Sequence, residues 1–144
     1  MRNVVLGPAN YIGADIVPQL IDDNNALFAP SQRRFEILDL TKDSLPTVDL
    51  IVCRDYLIHS SNRLVIRALR NIVNSGSKFV LLTTFPRSRL NEDMPTGGWR
   101  PLDLTVPPFG LPAPDLVIDE CCPQPDYTDK CLGPLEIRRL PVLR

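Results

Sequence analysis

Asp49-Leu50-Ile51-Val52-Cys53-Arg54-Asp55, followed by an amphipathic stretch from Ser61 to Gly76 and then by Lys78-Phe79-Val80-Leu81-Leu82-Thr83-Thr84, decides how this chain folds. The outer pieces are apolar runs of strand length, and the second is nearly continuous. That pattern predicts parallel strands covered on both faces. Between them, Leu64, Val65, Ala68, Leu69, Ile72 and Val73 recur at helical spacing on one stripe, while Arg63, Arg67, Arg70 and Asn71 fall elsewhere around the wheel. Ser61 or Asn62 serves as the predicted cap, and Asn74-Ser75-Gly76 as the stop. A strand, a crossover helix and a strand make one parallel unit.

The same order precedes it. Tyr11-Ile12-Gly13-Ala14-Asp15-Ile16 reads as a buried strand ending at an acid. Pro18 suits a first helical turn, and Leu20, Ile21, Asn24 and Leu27 carry the helix to about Phe28. Ala29-Pro30-Ser31-Gln32 breaks it. Arg34-Phe35-Glu36-Ile37-Leu38 is a second strand, ending at Asp39, and a polar loop with Pro46 leads on to Asp49. Downstream, 86–114 lacks periodicity. Two further strands are predicted at 115–120 and 135–140, joined without a helix and therefore antiparallel. The expected fold is α/β, a three-layer Rossmann-like sheet, mostly parallel with a C-terminal antiparallel hairpin.

Composition bounds the function. The 144 residues suit a single domain, 1–144, and 44% hydrophobic with 23% charged residues is ordinary for a globular protein. A net charge of -1 leaves no basic footprint, so no nucleic-acid partner is expected. No apolar run reaches the ~18–20 residues of a membrane span, and the apolar stretch at the N-terminus is too short for a signal peptide. Four cysteines without a secretion signal point to a reducing compartment, hence a cytoplasmic protein. Cys121-Cys122 and Cys131, with the single histidine distant, give no zinc-ligand spacing, so no metal is expected. Fifteen prolines, eleven of them between Pro86 and Pro141, make the last part loop-rich.

Ligands of open parallel sheets bind outside the carboxyl ends of the strands. Asp15, Asp39 and Asp55 close three successive strands there. A carboxylate between strand and helix can take both hydroxyls of a ribose, and one a strand away can accept from an exocyclic amine. The alternative is that each is a strand terminus or a cap. His59 is either a general base or a local hydrogen-bonding group. Trp99 and Phe109 form either a cover over an acceptor or a packed loop.

These segments, taken with Leu45-Pro46, resemble consecutive motifs of the class I S-adenosylmethionine-dependent methyltransferases. Thr83-Thr84-Phe85-Pro86, Gly98-Trp99-Arg100-Pro101-Leu102-Asp103-Leu104 and Pro107-Pro108-Phe109 are similar to a bacterial and viral subgroup of them. The resemblance runs from about Tyr11 over nearly the whole chain. It implies S-adenosylmethionine as cofactor, with Asp15 and Ile16 at its ribose and Asp39 with the Leu40 backbone at its adenine. Cys53 and Arg54 would line its methionine side, and Asp55 and His59 would serve the methyl acceptor, whose identity the resemblance leaves open.

In that family a strand and a glycine-rich loop precede the element matching residues 11–15. Here only ten residues do, Gly7 is their one glycine, and no Gly-x-Gly occurs. The expectation is therefore an N-terminally truncated, methyltransferase-like protein with impaired or absent cofactor binding, or a non-catalytic binding or assembly module that keeps the fold. An unpaired central edge implies a homo-oligomer. Within the chain, Asn3-Val4-Val5-Leu6 could add a strand to 11–15, or 11–15 could pair with 49–53.

Overall fold

The computed structural model describes residues 5–28, 31–88 and 90–141. The chain forms two compact units, one ending at Asp39 and the other beginning at Leu40.

The first unit is strand β1 (Tyr11–Asp15), helix α1 (Pro18–Phe28) and strand β2 (Arg33–Ile37), with β1 and β2 parallel. Gly13 stands opposite Phe35 in the register, and a Cβ there would collide with the Phe35 ring. Glycine thus lets the ring lie across β1, where it meets Tyr11 edge-on at 5.8 Å and stacks on Phe28 at 5.5 Å. Asn25 of α1 donates to the Phe35 carbonyl and accepts from the Phe35 N–H, both at 2.9 Å. One side-chain amide thereby satisfies both backbone groups of Phe35, which the β1 ladder leaves to other partners.

In the second unit β3 (Leu50–Cys53) runs parallel to β4 (Phe79–Thr84), with α2 (Asn62–Asn74) as the crossover. Strand β6 (Cys131–Glu136) pairs antiparallel with β4, and the two-residue β5 (Ile118–Asp119) with β6, in the order β3-β4-β6-β5. The α/β class, the parallel pairs around each helix and the antiparallel C-terminal pair agree with the sequence reading. Asn3 and Val4 lie outside the described residues, Val5 and Leu6 are in no strand, and the described ladders pair β1 with β2 only.

Val65, Ala68, Leu69 and Ile72 of α2 are fully buried against Val80 and Leu82 of β4. The Ser61 side chain makes no cap bond. Asp93, from the long loop, takes that place by accepting from Asn62 N–H at 2.7 Å and Met94 N–H at 2.8 Å. These backbone donors hold the Asp93 carboxyl below its ordinary range. Arg63, Arg67 and Arg70 lie on the exposed face.

Two expectations shift. The last strand is 131–136 rather than 135–140, because Gly133 and Pro134 read as breakers yet sit in the ladder. The Pro114 ring covers Gly133 at 2.8 Å from where a Cβ would be, so glycine is required by contact rather than by a turn. The aperiodic 86–114 segment is core-forming. Leu102, Leu104, Phe109 and Leu111 are buried, and Asn91 clamps Asp103 through the backbone at 2.7 and 3.0 Å. Phe109 is therefore packed inside, which decides for a packed loop at Phe109, while Trp99 stays partly exposed.

Candidate functional site at the strand ends

Strand direction assembles the site in the second unit. β3 and β4 are parallel, so Arg54, Asp55, Thr83 and Phe85 lie at their shared carboxyl edge. β6 runs the other way and begins there, with Cys131 opposite Thr84. β5 ends there, with Asp119 opposite Cys131. Glu120 and Lys130 are thus brought beside residues that precede them by 66 and 75 positions.

Asp55 has φ 59°, in the left-handed region that aspartate tolerates better than most residues. Its N–H donates to Thr83 Oγ1 at 2.9 Å. Lys130 Nζ lies 2.8 Å from Asp55 Oδ1, 3.0 Å from Oδ2 and 3.4 Å from Glu120 Oε2. Arg54 Nε donates to Glu120 Oε1 and lies 3.8 Å from Asp55 Oδ2. Two cations and two carboxylates form a closed cluster, with Glu120 and Lys130 its most buried members. Burial opposes the Lys130 charge, but Asp55 and Glu120 together outweigh it and hold its pKa above the ordinary lysine value. The Glu120 hydrogen bond raises Arg54 likewise.

His59 ends a single 3₁₀ turn (Leu57–His59) after the cluster. Its Nδ1 lies 2.8 Å from the Gly98 carbonyl, and its own carbonyl accepts from Gly97 N–H at 2.8 Å. A carbonyl only accepts, so Nδ1 carries the proton, and the neutral ring keeps its lone pair on Nε2. Beside Gly98, Trp99 meets Tyr127 at 4.5 Å and Phe85 at 6.0 Å, both edge-on, and the residue is 40% exposed. Arg100 anchors this turn by donating to the Ser60 carbonyl at 2.8 Å and Asn62 Oδ1 at 2.6 Å.

The first unit contributes Asp15. It is half-buried at the end of β1, and its Oδ1 accepts from Val17 N–H at 3.0 Å. It borders an open cleft of about 380 Å³ whose other walls include Tyr11, Gly13, Leu20, Leu27 and Phe35. Ile16 is exposed beside it and Asp39 is half-buried past β2. In the second unit Leu40 is half-buried, and its carbonyl accepts from Asn71 Nδ2 at 2.9 Å. The Cys53 side chain belongs to the core, where burial pushes its thiol up to about 12. What Cys53 can offer a ligand is therefore backbone.

Arg54 and Asp55 thus meet in the ion-pair cluster at this edge, while the His59 side chain turns to the Gly98 carbonyl. Glu120, Lys130 and Tyr127 were missed. Their signal is the return of the last strand, which only the register at Cys131 makes readable.

No family model and no curated protein matches the chain by sequence. Among solved structures, a pericyclic-reaction enzyme superposes with TM-score 0.65 at 12% identity, over 94% of this chain and 37% of that one. A LepI complex with SAM gives TM-score 0.63 at 12% identity over the same shares. An S-adenosylmethionine-dependent methyltransferase from Mesorhizobium loti gives TM-score 0.44 at 22% identity, over 52% of this chain and 36% of that one. The chain has a class I methyltransferase-like fold. It spans less than two-fifths of the length of these three structures. No helix of the described residues is long and apolar enough to cross a membrane.

Proposed function

We propose that this chain is an S-adenosylmethionine-dependent methyltransferase-like unit that binds the nucleoside side of the cofactor weakly and presents its acceptor side at the carboxyl ends of β3 and β4. The observation that carries this reading is the convergence of Arg54, Asp55, Glu120, Lys130, His59 and Trp99 on that edge, where ligands of parallel α/β sheets bind. Solved neighbours of the same fold include one crystallised with SAM, which supports the choice of cofactor.

The residues present fit that cofactor in part. Asp15 has a carboxylate at the mouth of a cleft large enough for a nucleoside, so it would hold the ribose, with Ile16 beside it. Asp39, in the same first unit, would hold the adenine. The chain carries no Gly-x-Gly, which is the reason to expect weak binding. When bound, the cofactor supplies an electrophilic methyl group on a sulfonium.

The rest is done by this chain. His59, with Nδ1 committed to Gly98, takes the acceptor's proton at Nε2. Asp55, held on both oxygens by Lys130, orients the acceptor, and the Trp99 and Tyr127 rings form its apolar wall. The free thiols favour a cytoplasmic setting. Self-association belongs to the same proposal, since Val5, Leu50 and Val52 are exposed.

Titration calorimetry with S-adenosylmethionine and its demethylated product tests the reading. Asp15→Ala should weaken binding tenfold or more, the loss of a charged hydrogen-bond pair. Binding unchanged by Asp15→Ala, or no heat with either ligand, overturns it.

A further inference from the structure

Cys121 and Cys122 follow Glu120 directly, and the proposed function uses neither. Cys121 is exposed and Cys122 half-buried, and both thiols are free. The other two cysteines are sequestered. Cys53 lies in the core, and the buried Cys131 donates its S–H to the Thr84 carbonyl at 3.6 Å. The backbone leading into the pair is held: Cys121 N–H donates to Asp119 Oδ1 at 2.7 Å, and Glu120 N–H to the Lys130 carbonyl at 3.2 Å.

We propose that Cys121 and Cys122 are a paired-thiol modification site for a thiophilic electrophile that takes two sulfurs, of the trivalent arsenical class. Adjacent residues have Cα atoms ~3.8 Å apart, short of the ~4.4–6.8 Å that a disulfide ordinarily spans, so closure of the pair on itself is disfavoured. With Cys131 engaged elsewhere, both thiols stay available to a reagent. Among the described residues no group of three histidine, cysteine or carboxylate side chains is placed to hold a metal ion, which favours two-point over higher coordination.

The chemistry balances without an oxidant. Each thiol gives up its proton and forms one sulfur–arsenic bond. Two arsenic–oxygen bonds break, and the two hydroxides leave with those protons as two waters. The second bond forms intramolecularly, so the bridged adduct is held far more tightly than a single-thiol one. The site lies one residue from Glu120, which binds Arg54 and Lys130, so the adduct forms on the segment that closes the ion-pair cluster.

The test uses the native full chain and the hydrated form of phenylarsine oxide, read by intact mass. One adduct per chain with loss of two waters is expected. It should be released by a small dithiol and survive a monothiol at equal thiol concentration. Cys121→Ser and Cys122→Ser should each weaken capture at least tenfold, and circular dichroism on both variants confirms that they fold. No bridged adduct on the native chain, or an undiminished adduct in either folded serine variant, overturns the assignment. Neither result depends on whether the chain binds S-adenosylmethionine.

Discussion

Replacing Lys130 by methionine keeps an apolar stem of similar length and removes only the ammonium. Asp55 then loses contacts on both oxygens, at 2.8 and 3.0 Å, and Glu120 Oε2 loses the cation at 3.4 Å. Breaking a fully buried pair costs about 3–5 kcal/mol, and an exposed pair is worth about 0.2–1 kcal/mol. This cluster lies between those limits. The Glu120 side chain is only 8% exposed, but that of Asp55 is 34% exposed, and Arg54 still serves Glu120. A loss of about 2 kcal/mol follows, or ~4–8 °C in Tm for a chain of this size.

Urea and thermal unfolding of Lys130→Met, Glu120→Gln and the double variant measure it, with a coupling energy of about 1 kcal/mol between the two sites. Lys130→Arg should recover most of the loss, because it restores the charge. The Lys130 pKa is raised on folding, so its stabilisation is complete below the unfolded lysine value of about 10.4 and fades as pH climbs through the folded one. The stability difference between parent and Lys130→Met should therefore shrink above about pH 10.4. A Lys130→Met protein within about 0.5 kcal/mol of the parent, or additive single variants, would refute the reasoning.

Asp93→Asn removes the carboxylate that accepts from Asn62 and Met94 N–H. Because folding lowers the Asp93 pKa, the parent's advantage should be complete above the unfolded value of about 3.9 and fade as pH falls from there through the lower folded one, so that it is smaller at pH 3 than at pH 7 in unfolding experiments. Phe85→Ala empties a 1% exposed site under Trp99 and Tyr127 and should cost about 3–5 kcal/mol by urea titration. Sedimentation at tens of micromolar should show an oligomer that Val5→Asp weakens. A monomer, or a variant with the parent's state, removes the self-association proposal.

Both parallel units were legible in the sequence because each is written in local pattern. The α2 stripe of Val65, Ala68, Leu69 and Ile72 is buried as its spacing requires, and apolar runs of the right length flank it. Ser61 holds the N-cap position as read, but the capping bond comes from Asp93, which reaches Asn62 N–H across 31 positions, a contact that no local capping rule describes. The β6 boundary was missed for a similar reason. Gly133 and Pro134 usually end strands, and only the Pro114 ring over Gly133 explains a glycine there. The core residues of 86–114 follow no period because a loop buries side chains wherever its turns point them.

For the site, Arg54, Asp55 and His59 could be read because they follow one strand within six residues. Glu120 and Lys130 could not, because their role depends on strand direction. Were β6 parallel to β4, its first residue would lie at the amino edge, and Lys130 would stand a strand's length from Asp55. The antiparallel return alone puts an ammonium on both Asp55 oxygens. Direction also fixes the charge of the edge. Arg54 and Lys130 face Asp55 and Glu120, so the four carry no net formal charge, and under the proposed function a charged acceptor would meet compensated groups rather than a bare cation or anion. Discrimination at this edge then rests on shape and on single hydrogen bonds, with the Nε2 of His59 and the partly exposed Trp99 as the groups the cluster leaves uncommitted.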